Sequence, residues 1–157
     1  MKKIINSSIH ELAIMEKSSI GYVLSLKEKA CSAKLLQLLD SYVRIYLHHL
    51  KATSFMKKAS DKNSFKTIET FVQEQQSFID GYIGGDMKRE LVLTTSFRKL
   101  LYMQLGYYYS MLSLLPGSSV DIDQIIQVID KKENMVQELD TLEQYFIIPQ
   151  VAKYEKT

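Results

Sequence analysis

The chain has 157 residues, 46% hydrophobic and 24% charged, with a formal net charge of +2. That length can bury a core without disulfides or metal, and the composition excludes a disordered tail. The small charge excludes polycation behaviour toward nucleic acid, and the apolar runs fall far short of the ~20 residues needed to span a bilayer.

Met1-Lys2-Lys3 opens like the basic end of an export signal, but Asn6, Ser7, Ser8, His10 and Glu11 interrupt what would be its apolar core, so no export signal is expected. Cys31 is the single cysteine. It leaves no intrachain disulfide, reads as a small hydrophobe, and fits a reducing, cytoplasmic setting.

Five helices are expected, over about 9–29, 33–57, 64–83, 87–115 and 122–147, in one domain spanning 1–157. Ser8-Ile9-His10-Glu11 reads as a capping box for the first, which carries Leu12, Met15, Ile20, Val23 and Leu24; Ser18, Ser19 and Gly21 are candidate kink points. The second places Leu35, Leu36, Leu39, Val43, Tyr46, Leu47 and Leu50 at spacings of three and four, which makes one apolar stripe. Asp61, Asn63 and Ser64 supply turn and cap chemistry before the third, where Ile68, Phe71, Val72, Gln75, Phe78, Ile79 and Tyr82 repeat with helical period and Gly84-Gly85 stops the run.

Asp86 reads as the cap of the fourth helix. This helix is apolar around much of its circumference from Leu91 to Leu115, which predicts a central position, and Pro116-Gly117 ends it. Asp121 to Gln124 cap the last helix, whose stripe runs through Ile122, Ile125, Ile126, Ile129, Met135, Val136, Leu139, Leu142 and Phe146, with Pro149 near its end. Short connections favour antiparallel neighbours. The expected fold is all-α: an antiparallel, up-down four-helix bundle with an additional C-terminal helix.

The chain has three histidines, His10, His48 and His49. Adjacent helical residues point about 100° apart, so His48 and His49 cannot both face one buried site. Their i+4 neighbours are Ala52 and Thr53, so the second ligand of a helical metal half-site is missing. No metal site and no cofactor is expected. Tyrosine supplies ten of sixteen aromatics, and Tyr102 with Tyr107, Tyr108 and Tyr109 clusters on the fourth helix. That cluster reads either as core packing with the hydroxyls at the rim or as a binding platform, because tyrosine joins apolar area to a polar tip.

Gly81, Gly84 and Gly85 lack the preceding strand of a phosphate loop. Lys57, Lys58, Lys62 and Lys66, and separately Lys131 and Lys132, read as solvated charge. Glu69, Glu74 and Asp80 read as a polar helix face without a shared pocket, and no nucleophile elbow or activating histidine motif is present. Catalytic residues are therefore not expected.

The second helix, from Leu35-Leu36-Gln37-Leu38-Leu39-Asp40 through Tyr46-Leu47-His48-His49-Leu50-Lys51 to Phe55-Met56, resembles the second helix of hemerythrin-like, HHE-type cation-binding domains, over roughly the first 115 residues. The resemblance implies a helical bundle whose relatives hold a di-iron centre. Carried onto this chain, the first-helix histidine falls near Lys17 or Ser18 and the second-helix glutamate on Ala52 or Thr53. Gln75 or Gln76 stands for a third-helix histidine, and Gln104 with Tyr108 for the fourth helix's His-x-x-x-Glu. His48 or His49 alone retains its type, which implies a metal-free descendant.

The expectation is a non-enzymatic bundle acting by protein or small-ligand binding, with Tyr102, Gln104, Tyr108, Tyr109, His48 and His49 as candidate binding residues. Expected partners are a protein or a second copy of the chain, without nucleic acid or membrane insertion. The alternative is a hemerythrin-like protein that retains metal for iron, oxygen or stress-related sensing.

Overall fold

The computed structural model describes the backbone of residues 2–52, 66–82, 84–115 and 120–155, and the side chains of 9–52, 66–82, 84–115 and 122–147. These residues form five α-helices, α1 (Lys2–Lys29), α2 (Ala33–Ala52), α3 (Lys66–Asp80), α4 (Asp86–Leu114) and α5 (Val120–Glu155), with no strand among them. No described helix is long and apolar enough to cross a membrane. Expected features at 53–57, Asp61, Asn63, Ser64 and Pro116-Gly117 lie outside the described residues.

The helix ends differ from the sequence reading for local reasons. Because α1 already begins at Lys2, Ser8 lies inside the helix and is no cap. The cap that does form is Ser32, whose Oγ accepts from the Leu35 amide at 3.4 Å while its carbonyl accepts from the Leu36 amide at 3.0 Å. At α4 the N-cap is Gly85 in extended conformation. Asp86 instead sits in the first turn, where a carboxylate faces the positive end of the helix dipole. α3 stops at Asp80, before the glycine pair, with the Gly81 amide closing on the Ser77 carbonyl at 3.0 Å. α5 starts at Val120 and continues through Pro149 to Glu155, although proline removes one backbone donor.

α4 packs most extensively on α5 and also touches α1 and α3; α2 packs on α1 and α5, and α3 on α1 and α4. The central position expected of α4 follows: Leu93, Phe97, Leu100, Leu101, Leu105, Tyr108 and Met111 are all buried. α5 belongs to the same core through Ile125, Val128, Ile129, Met135, Val136, Leu139, Leu142 and Phe146.

The face of α2 is turned by about one position from the expected stripe. Leu35, Leu38, Leu39, Tyr42 and His49 are buried, while Leu47 is 49% exposed. α3 buries Ile68 and Ile79 and leaves Phe78 out, because a short helix resting on two neighbours covers only a narrow face. Cys31 is exposed at the α1–α2 connection rather than packed as a small hydrophobe, and its amide donates to the buried Glu90 carboxylate.

Candidate functional site

Two places bring the sequence-predicted residues together: a buried polar cluster inside the helices and an open groove between α4 and α5. The cluster arises because several core-facing positions carry polar side chains. Glu16 and Ser19 lie on the α1 stripe with Leu12, Val23 and Leu26, and Gln104 lies on the α4 stripe with Leu100, Leu101 and Tyr108. On α5, Ile125, Val128, Lys132, Met135, Leu139, Leu142 and Phe146 recur at alternating spacings of three and four, so Lys132 occupies a core position of a helical seam. It is buried, not part of a solvated face as its sequence neighbourhood suggests.

The Lys132 ammonium donates to Glu16 Oε1 at 2.8 Å, and the two side chains are 8% and 2% exposed. It also donates to Gln104 Oε1 at 2.7 Å and stands 4.9 Å from the centre of the Tyr42 ring and 5.8 Å from that of Tyr108. Tyr108 donates to Glu16 Oε1 at 2.6 Å. Gln104 Nε2 donates to Ser19 Oγ and to the Tyr42 hydroxyl, both at 2.8 Å, and Ser19 donates to the Met15 carbonyl at 2.8 Å. Ser19 thus bridges α1 and α4. The charges of Glu16 and Lys132 cancel inside the protein, and hydrogen bonds take up the remaining polar capacity, the condition under which a buried pair is tolerated.

Burial, reinforced by the Glu16 carboxylate, pushes the Tyr42 and Tyr108 phenols well above the ordinary tyrosine value. Both remain protonated donors while unfolded tyrosine ionises, so they subtract from stability as pH rises above about 10. A narrow niche lined by Tyr46, His49 and Lys131 adjoins the cluster, with a free volume of about 10 Å³, room for a single water.

His49 is buried and His48 exposed, as the angular argument requires. Burial pushes the His49 pKa below its ordinary 6.5; Glu16 opposes this and Lys132, His48 and Lys131 add to it. The unfolded chain therefore takes up the histidine proton first, so the stability that His49 contributes is complete above pH 6.5 and declines as pH falls toward its folded-state pKa. Urea midpoints measured from pH 8 to pH 4 should fall less steeply below pH 6.5 in a His49→Phe variant than in the wild type. Equal slopes would remove His49 from the account.

The four tyrosines of α4 separate as their spacing demands. Tyr108 is buried in the cluster, Tyr107 is half-buried, and Tyr102 and Tyr109 are 53% and 47% exposed. The exposed pair flanks a groove whose other wall is α5, through Glu133, Val136, Gln137 and Asp140. Tyr109 donates to Glu133. At the groove's end Arg98 joins the two helices, reaching Asp140 at 2.8 Å and Glu143 at 2.6 Å, with Thr95 donating to Glu143 at 3.2 Å.

Sequence reasoning singled out Gln104, Tyr108 and His49 without their partners Glu16, Ser19, Tyr42 and Lys132. The signal for the partners was present: a charged or hydroxyl side chain at a position where the apolar period demands a hydrophobe. Glu69, Glu74 and Asp80 are exposed, as expected. Among the described residues no group of three or more His, Cys, Asp or Glu is arranged to hold a metal ion. No protein-family model, curated protein or solved structure matches the chain.

Proposed function

We propose that this is a non-enzymatic helical bundle that works by contact, binding a protein partner through the α4–α5 face that carries Tyr102 and Tyr109. The observation that carries the reading is the exposure of those two aromatic side chains beside an open groove. Tyrosines that offer apolar area to solvent are enriched at binding surfaces. The buried cluster supports a contact role from the other side, because its one carboxylate is already neutralised by Lys132 and its adjoining niche has room only for water.

The same proposal includes an antiparallel four-helix arrangement of α1, α2, α5 and α4, with α3 as the added helix in place of the C-terminal one. It is supported by paired residues whose numbers rise on one helix and fall on its neighbour. Examples are Ser19–Gln104 with Glu16–Tyr108, Arg98–Asp140 with Gln104–Lys132, Lys34–Glu138 with Tyr42–Lys132, and Lys27–Asp40 with Glu16–Tyr42 closing the ring. A cytoplasmic setting belongs to the reading too, since an exposed lone thiol suits a reducing compartment.

A hemerythrin-like ancestry enters as a proposal of the same kind: a bundle that has exchanged metal for an internal cation. The donor set does not fit a di-iron centre. Glu16 Oε1 already accepts from Lys132 and Tyr108, and a divalent ion there would stand against an ammonium.

Two measurements test the reading. Untagged protein offered iron, manganese or zinc and then dialysed should retain none in stoichiometric amount; one or more per chain would revive the metal-sensing alternative. The Tyr102→Ala/Tyr109→Ala double variant should keep the wild-type melting temperature within a few degrees, since surface changes cost little, yet lose partners that co-purify with the wild type. Unchanged co-purification would sink the assignment of this face.

A further inference from the structure

We infer that the slot between Tyr102 and Tyr109 takes an arginine side chain of a partner polypeptide. This rests on the α4–α5 face being the binding surface and adds the chemistry of what docks there. Gly106 lies four residues after Tyr102 and three before Tyr109, so the three share one face of α4. The two tyrosines start two helical turns apart, about 10.5 Å along the axis. A Cβ placed on Gly106 would meet nothing within 4 Å, so bare backbone floors the space between the rings.

Across the groove, α5 contributes the apolar Val136 and the carboxylates of Glu133 and Asp140, around a free volume of about 440 Å³. The groove lining holds two carboxylates and no basic side chain, against a whole-chain charge of +2. Arg98, at the groove's end, is already held by Asp140 and Glu143. The local sign is therefore opposite to that of the chain as a whole, and it selects a cation.

Arginine matches this combination better than lysine does. Its planar guanidinium stacks on an aromatic face while its N–H groups reach carboxylates, and its methylene stem covers apolar surface. The Tyr109–Glu133 and Arg98–Asp140 hydrogen bonds hold the walls in place, and each carboxylate keeps further lone pairs for an incoming donor. An acidic segment would meet two like charges at the same place.

The test is a nuclear magnetic resonance titration of ¹⁵N-labelled full-length protein with the peptide acetyl-Leu-Arg-Leu-Arg-amide. Its counterpart with citrulline for arginine keeps the shape and loses the charge. The arginine peptide should produce saturable shifts at the amides of Tyr102, Gly106 and Tyr109. Citrulline, or the Glu133→Gln/Asp140→Asn variant with an unchanged circular dichroism spectrum, should weaken binding about tenfold or more.

Equal binding of the two peptides, shifts centred elsewhere, or no shifts would overturn the inference. If the titration fails while Tyr102→Ala/Tyr109→Ala still abolishes co-purification, the contact reading stands and only the arginine chemistry falls. If that variant also changes nothing, both fall.

Discussion

Lys132→Ala is expected to lower stability by about 3–5 kcal/mol, the cost of leaving one partner of a buried ion pair uncompensated. For a chain of this size that corresponds to a fall in melting temperature of roughly 6–20 °C. The reason is specific to the cluster: Glu16 is 2% exposed, and without the ammonium its charge is left with the Tyr108 bond at 2.6 Å and a long Tyr42 contact at 3.5 Å. The double variant Glu16→Leu/Lys132→Met should recover most of the loss, because a packed apolar pair of similar volume is often as stable as a buried ion pair. Thermal melts of Glu16→Leu, Lys132→Met and the double variant close the cycle. A Lys132→Ala protein that melts with the wild type would show that the pair contributes nothing to holding α1 against α5.

Gln104→Leu is the second large effect, at roughly 3 kcal/mol. The substitution nearly preserves volume, so the loss is chiefly one of hydrogen bonding. Gln104 donates to Ser19 and Tyr42 and accepts from Lys132. Its removal strips partners from three buried groups at once, and each buried group left unsatisfied costs about 1–3 kcal/mol. Partial sharing among the remaining partners keeps the total below the sum. Urea denaturation should show a lower midpoint with an unchanged slope, the signature of lost stability without a change in the area exposed on unfolding. The coupling can be read directly: Gln104→Leu combined with Lys132→Met should cost less than the two separate losses added together. Strict additivity would mean that the two side chains act independently.

These two positions also mark where sequence reasoning stopped short. Helical period and the scarcity of breakers were enough for five helices, and the apolar circumference of α4 was enough for its central place. Helix ends were less legible. Ser8 and Asp86 have capping chemistry, but a cap requires the chain to leave helical geometry at that residue, and α1 begins before Ser8 while Gly85 takes that role at α4. The face of α2 was misjudged because leucines at 35, 36, 38 and 39 fit two neighbouring stripes equally well, and only packing against α1 and α5 selects between them.

The binding residues divide in the same way. Tyr107, Tyr108 and Tyr109 must point in three directions whatever the fold, and His48 and His49 in two, so one-dimensional spacing determined that each group would split between core and surface. Which member is buried was a matter of tertiary contact: Tyr108 turns to Glu16, and Tyr109 to Glu133 on the surface. Lys132 shows the limit most clearly. A lysine next to another lysine carries every local mark of solvated charge, and only the approach of Glu16 from α1 and Gln104 from α4 makes its burial affordable. Local chemistry and period determined the helices and the split faces; the pairing of groups more than a hundred residues apart, which depends on burial and distance, was decided by the tertiary structure.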